Sequence, residues 1–360
     1  MNNKGILGVD WFLLYPVFIL VVISLVTLLS INVAFFKSQL VFLTVSILAF
    51  LFFSQANYKL LAFYSKPIYI ISLILLILVF FLGIESRGAI RWVEVFGFRF
   101  QFSEILKPFL SISFAGYLVN RKNYSFRSFI DILFLLAPIA LLIFFQPDLG
   151  DALILVGVVF AVLIYAGFSF KYFLAVLLPM VAIFPAVWKL LHDYQRQRIL
   201  TFFDPSKDPL GNSYNVIQSI IAVGSGMIIG KGLGQGTQSG LRFLPERHTD
   251  FIFATISEQL GFIGAIIILI CFAFILYKIY VIFLNSDDSF CRIFSVIIFF
   301  SFLIQIFVNI GMNVGILPVV GVTLPFVSYG GSSLLSNFIF LGLLSSINKA
   351  SKERPVLEIR

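Results

Sequence analysis

Residues 241–264 set Arg242, Glu246, Arg247, His248, Thr249 and Asp250 directly before a long apolar run that starts at Phe251. A carboxylate at a membrane surface is costly unless something pairs with it or uses it. Asp250 is therefore the leading candidate for acid–base chemistry. Its competing role is N-cap of the helix that follows. Glu258 lies eight residues further on, on roughly the same helix face and about 12 Å deeper. The two predict a polar stripe turned toward the interior of a helix bundle.

Glu104 and Lys107 stand three apart inside another apolar run and share a helix face. Buried ions need partners, so a structural ion pair and the lining of a polar cavity are both open here. Arg87, Arg91 and Trp92 put two guanidinium groups and an indole in one short loop. That suits interfacial anchoring and also capture of an anionic headgroup by Arg forks. In Gln146-Pro147-Asp148-Leu149-Gly150 the carboxylate reads as a helix cap rather than a catalyst. The glycine-rich run from Gly224 to Gly236 is no Walker A. Ser225 stands where its first glycine belongs, and Gly232 follows Lys231 where Ser or Thr is needed. It reads as a tightly turning loop, with a backbone phosphate cradle as the alternative.

The elements that must position these groups follow from composition. Hydrophobic residues make up 60% of the 360, charged residues only 12%, and mean hydropathy is +1.05. A soluble domain carries about 25% charged residues, so the chain is polytopic in a membrane. The net charge of +8 then reflects topology and anionic headgroups, and no nucleic-acid partner is expected. Cys271 and Cys291 fall in apolar runs with no CxxC spacing, which excludes a disulfide framework. His192 and His248 are far apart, which argues against a histidine-rich metal site. No cofactor is implied, although a carboxylate-held divalent cation, Mg or Mn, stays open.

Ten apolar runs have spanning length, near 12–34, 38–55, 67–84, 102–120, 129–146, 149–168, 172–190, 250–277, 291–315 and 325–346. The first is too long for a cleaved signal and reads as an uncleaved helix. With a cytoplasmic N-terminus, thirteen Lys and Arg fall in inner segments. Only Lys37, Arg87, Arg91 and Arg99 fall in the short outer loops. The expected fold is all-α: one domain over 1–360, ten transmembrane helices and both termini cytoplasmic. Residues 191–249 would form a large outer loop between helices seven and eight, with a helical stretch near 214–229 lying along the interface.

Several of these segments together resemble the SEDS family (shape, elongation, division and sporulation). The strongest are Phe243 to Ala254, Asn309 to Asn313 and Leu324 to Ser333. Weaker ones are Arg91-Trp92, Gln101 to Lys107, Gln146 to Gly150 and Tyr214 to Gly232. Gly236-Thr237-Gln238-Ser239, and Arg247 before His248, are more similar to the rod-shape branch than to the division branch. Phe102, Asp151, Met227 and Gln259 depart from the family's usual Pro, Ser or Thr, Gly and Glu. Gln259 keeps hydrogen bonding but removes a charge.

The resemblance implies ten transmembrane helices and a peptidoglycan glycosyltransferase. Such an enzyme polymerises lipid II on the outer face of the cytoplasmic (inner) membrane, beside a class B penicillin-binding protein that cross-links the glycan. It implies Asp250 as general base. Arg87, Arg91, Trp92, Glu104, Lys107, Arg242, Glu246, Arg247, His248, Glu258, Ser328 and Ser332 are the substrate-binding candidates. A lipid II flippase is the alternative, with Glu104, Lys107 and Glu258 along its polar path. An inert scaffold for wall synthesis is the third reading.

Overall fold

The computed structural model describes residues 11–86, 89–95, 97–121, 124–191, 196, 200 and 213–352. A helix stands on each of the ten predicted spans. They are α1 (Trp11–Ile31), α2 (Val33–Ser54), α4 (Ser65–Leu82), the pair α5 (Phe102–Ile105) and α6 (Lys107–Val119), α7 (Phe126–Phe145), α8 (Leu149–Tyr165) and α9 (Phe170–Leu190). After the outer loop come α12 (Ile252–Leu284), α13 (Ser289–Asn313) and α14 (Gly331–Lys352). Seven of these helices are long and apolar enough to cross a membrane. The fourth span is broken at Leu106, with Pro108 in the first turn of α6. Proline fits there because the N–H it lacks has no helical partner at that position.

The expectation of an all-α fold needs correcting. β1 (Ile84–Ser86), β2 (Ala89–Val95) and β3 (Phe98–Gln101) form a three-stranded antiparallel sheet in sequence order. Short β-branched and aromatic runs around the turn at Gly97, whose φ is +79°, favour a hairpin. A spanning-length hydropathy window does not register strands this short. Shorter helices fill the connections: α3 (Tyr58–Phe63), α10 (Tyr214–Ser225) and α11 (Thr237–Gly240). The predicted outer-loop helix is present as α10, four residues shorter than its expected end at Ile229.

At the centre, α14 is almost wholly buried and packs along α2. Gly331 lies against the Phe42 ring and Gly342 against the Phe50 carbonyl. Small residues let two backbones approach in lipid, where close packing drives association.

The glycine-rich run has a structural use. Helix α12 is interrupted at Gly261, with φ +67° and ψ −162°. This removes two helical hydrogen bonds, leaving the carbonyls of Glu258 and Gln259 and the N–H groups of Phe262 and Ile263 to find other partners. The loop supplies all four. Lys231 N–H donates to the Glu258 carbonyl (2.9 Å) and Gly232 N–H to that of Gln259 (3.0 Å). Phe262 N–H donates to the Met227 carbonyl (2.9 Å) and Ile263 N–H to that of Ile228 (3.2 Å). Backbone polar groups in a membrane must be satisfied internally, so loop and helix break form one unit. A Cβ on Gly226 or Gly230 would collide with the Ser257 or Gln259 carbonyl, and Gly230 also has φ +82°. Gly230→Ala is therefore expected to open this splice at a cost on the order of 1–3 kcal/mol. A lower melting temperature and faster proteolysis at Lys231 would show it.

Candidate active site

Asp250 sits in a turn, residues 246–251, whose successive carbonyls are each held by a different group. Thr255 Oγ1 donates to the Arg247 carbonyl (3.0 Å) and Tyr329 N–H to that of His248 (2.9 Å). Ser328 Oγ donates to the Thr249 carbonyl (2.7 Å). The side-chain amides of Asn309 and Asn313 both donate to the Asp250 carbonyl, at 3.1 and 2.9 Å. Within the turn, Thr249 N–H and Phe251 N–H both donate to the Glu246 carbonyl, at 3.1 and 3.2 Å. Glu246 itself adopts φ +49°. Backbone fixed at this many points presents the half-buried Asp250 side chain on a rigid base.

The cap reading of Asp250 does not match this geometry. The N-cap of α12 is Phe251, which makes no side-chain cap hydrogen bond, and Asp250 lies one residue before it. The neighbouring side chains are placed individually. His248 stacks on Phe35 at 4.2 Å, nearly parallel, with Tyr329 tilted beside it. Arg247 is buried and donates to the Ser239 carbonyl. Burial, and then the Arg242 guanidinium, pull its pKa below the usual value. Arg242 is exposed with φ +65°. Glu246 accepts from Thr249 Oγ1 at 3.0 Å.

Glu258 is fully buried. Its carboxylate accepts from Gln238 N–H and Ser239 N–H, both at 2.8 Å, and from Lys231 Nζ at 3.3 Å. It thereby pins the end of the outer loop to the broken helix, just below the turn that carries Asp250.

A second cluster gathers around Lys107. Its ammonium lies 2.9 Å from Glu104 and 2.8 Å from Asp151. Ser103 Oγ donates to Asp151 at 3.1 Å. Asp148 caps α8 through Asp151 N–H at 3.2 Å and also faces Arg91 at 3.6 Å. Gln101 bridges Ser103 and Asp148 with its side chain, and its N–H donates to Ser332 Oγ at 2.8 Å. Strand pairing sets Trp92 opposite Gln101, which carries Arg91 to Asp148. Three carboxylates thus face two cations.

The segment before α14 joins the two clusters, since Ser328 and Tyr329 hold the Asp250 turn while Ser332 holds Gln101. Glu246, Arg247, His248, Asp250 and Ser328 are accordingly brought together. Arg91, Trp92, Glu104, Lys107 and Ser332 gather in the second cluster. Arg87 lies outside the described residues. Among the described residues no group of three or more His, Cys, Asp or Glu is arranged to hold a metal ion.

Two contributions are absent from the sequence reading. Asp151 figured only as a departure, and Asp148 only as a cap. Their spacing held the signal: two carboxylates three apart in a first helical turn face one way, as Glu104 and Lys107 do. The grip of Asn309 and Asn313 on Asp250, across 59 and 63 residues, has no local signal.

Comparison with known proteins agrees with this architecture. The chain is 41% identical over 292 residues to the peptidoglycan glycosyltransferase MrdB of Escherichia coli K12, covering 80% of this chain and 79% of that one. It superposes with TM-score 0.83 and 32% identity on a chain solved in a study of polymerization and crosslinking by a peptidoglycan synthase complex. That match covers 96% of this chain and 99% of the other. The rod shape determining protein RodA of Thermus thermophilus aligns with TM-score 0.74 at 26% identity, over 98% and 100% of the two chains. Residues 6–353 match the cell cycle protein family of FtsW, RodA and SpoVE, and the chain belongs to that family, the SEDS proteins.

Proposed function

We propose that this chain is a peptidoglycan glycosyltransferase that polymerises lipid II during cell elongation, with Asp250 as general base. The acceptor's 4-hydroxyl attacks the anomeric carbon of the donor, and Asp250 takes the hydroxyl proton. The bond from that carbon to undecaprenyl pyrophosphate breaks, and the anomeric configuration inverts. A partly buried carboxylate suits a base, because loss of water favours the form that has accepted the proton. The observation that carries the reading is the turn at 246–251. Its backbone is braced from several elements, and Asp250 lies one residue before Phe251, the N-cap of α12.

Leaving-group charge needs cations aimed at it. Lys107 is compensated by two carboxylates and Arg91 faces Asp148 at 3.6 Å, which leaves the exposed Arg242 as the better placed. Arg87 is a further candidate. The flippase reading is less well supported, because the space beneath Lys107 is a cavity of about 30 Å³ lined by Ser111, Phe114, Leu118, Ile154 and Phe340. That holds about one or two water molecules and no sugar.

The basic-residue asymmetry supports ten spans with both termini cytoplasmic and the Asp250 turn on the outer face of the inner membrane. A membrane-impermeant thiol reagent should then reach Gln235→Cys and miss Lys59→Cys, both exposed positions. The opposite pattern would reverse the orientation. The relatives' context supports a class B penicillin-binding protein as partner. Purified protein incubated with labelled lipid II, alone and with that partner, tests the activity directly. Glycan ladders are expected, whereas a flippase or a scaffold leaves the substrate at its original size.

A further inference from the structure

The side chain of Asn313 makes two connections that pull in different chemical senses. Its Oδ1 accepts from Ala254 N–H at 3.0 Å. Its Nδ2 donates to the Asp250 carbonyl at 2.9 Å and to the Asn309 carbonyl, one turn back on α13, at 2.8 Å. Ala254 is the third residue of the helix that follows Phe251, the position whose N–H an N-cap side chain ordinarily satisfies. Phe251 has no such group. The cap of α12 is thus supplied from another helix, by a side chain that also holds the peptide just before the cap. Asn309 adds a second donor to the same Asp250 carbonyl at 3.1 Å and is anchored to the Val322 carbonyl at 2.6 Å. Both asparagines are fully buried.

We infer that Asn313 is a positioning residue for the Asp250 carboxylate. It orients the Asp250 peptide through its amide N–H groups and caps α12 through its amide oxygen. A carboxamide carries donor and acceptor on one rigid plane, so one side chain performs both tasks, and Asp250 need not serve as the cap. The inference rests on the general-base reading of Asp250.

Two substitutions separate capping from positioning. Asp and Ser cap helices about as well as Asn. Asn313→Asp keeps the acceptor for Ala254 but has no amide hydrogens for Asp250. Asn313→Ser is uncharged, and its single hydroxyl proton cannot serve both carbonyls. If Asn313 positions Asp250, purified Asn313→Asp and Asn313→Ser fold but melt below the wild type, because a buried charge or unmet carbonyls replace the amide, and they keep the KM for lipid II. Their kcat falls by about 10²-fold, the scale of a small misplacement of a reacting group. Wild-type kcat in either folded variant would show that Asn313 only caps, and the inference would fall. It would fall equally if neither variant folds, since Asn313 would then be purely structural. Asp250→Asn measured alongside keeps the two readings apart. An active Asp250→Asn removes the base itself, whereas an inactive Asp250→Asn beside active Asn313 variants removes only the positioning.

Discussion

Asp250→Asn is expected to express, insert and melt like the wild type while lipid II polymerisation drops by about 10²–10⁴-fold, the usual cost of losing a general base. The geometry makes this a clean substitution. Asn309 and Asn313 hold residue 250 by its backbone carbonyl, and a change of side chain leaves that carbonyl in place. Asparagine has nearly the shape of aspartate and cannot accept the acceptor's proton. Glycan chain formation and thermal melting, measured on the same preparation, check it. Full polymerisation by a folded Asp250→Asn protein would assign the base elsewhere.

Lys107→Met should be the most destabilising single change at the second cluster. Removing one partner of a buried ion pair typically costs about 3–5 kcal/mol, because the remaining charge is left uncompensated. Here two carboxylates lose their shared cation, and both are nearly buried. From sequence alone, Glu104→Gln is expected to lower stability by leaving Lys107 unpaired. The structure revises this, because Asp151 still holds the ammonium at 2.8 Å. Glu104→Gln should therefore be distinctly milder than Lys107→Met. Melting temperatures of the two variants in one detergent give the comparison, and equal losses would refute the shared-cation arrangement.

Much of the arrangement was legible along the chain because a bilayer imposes strong local rules. An apolar helix must be about 20 residues long to cross the hydrocarbon, and each predicted span carries a helix. The i,i+3 spacing of Glu104 and Lys107 left an ion pair and a cavity lining equally open, and the ion pair is present at 2.9 Å. The order of polar residues through 246–250 put Asp250 forward as the candidate base. The short sheet at 84–101 escaped because strands of three to seven residues fall below any spanning window.

The sequence by itself determined the membrane class, the helical spans and the family, since each depends on hydropathy or contiguous motifs, and it nominated Asp250 as the base. Only the tertiary structure decided what the glycines and the polar side chains do. The run from Gly224 to Gly236 could turn tightly or cradle phosphate until the break at Gly261 showed where its backbone groups go. Glu258 could line a path until Gln238, Ser239 and Lys231 were found on its carboxylate. Asp250 could be a cap until Phe251 took that position. The physical reason is common to all three. A polar group buried in a bundle must find its partner wherever the fold brings one, here across tens of residues, and no local pattern records that pairing.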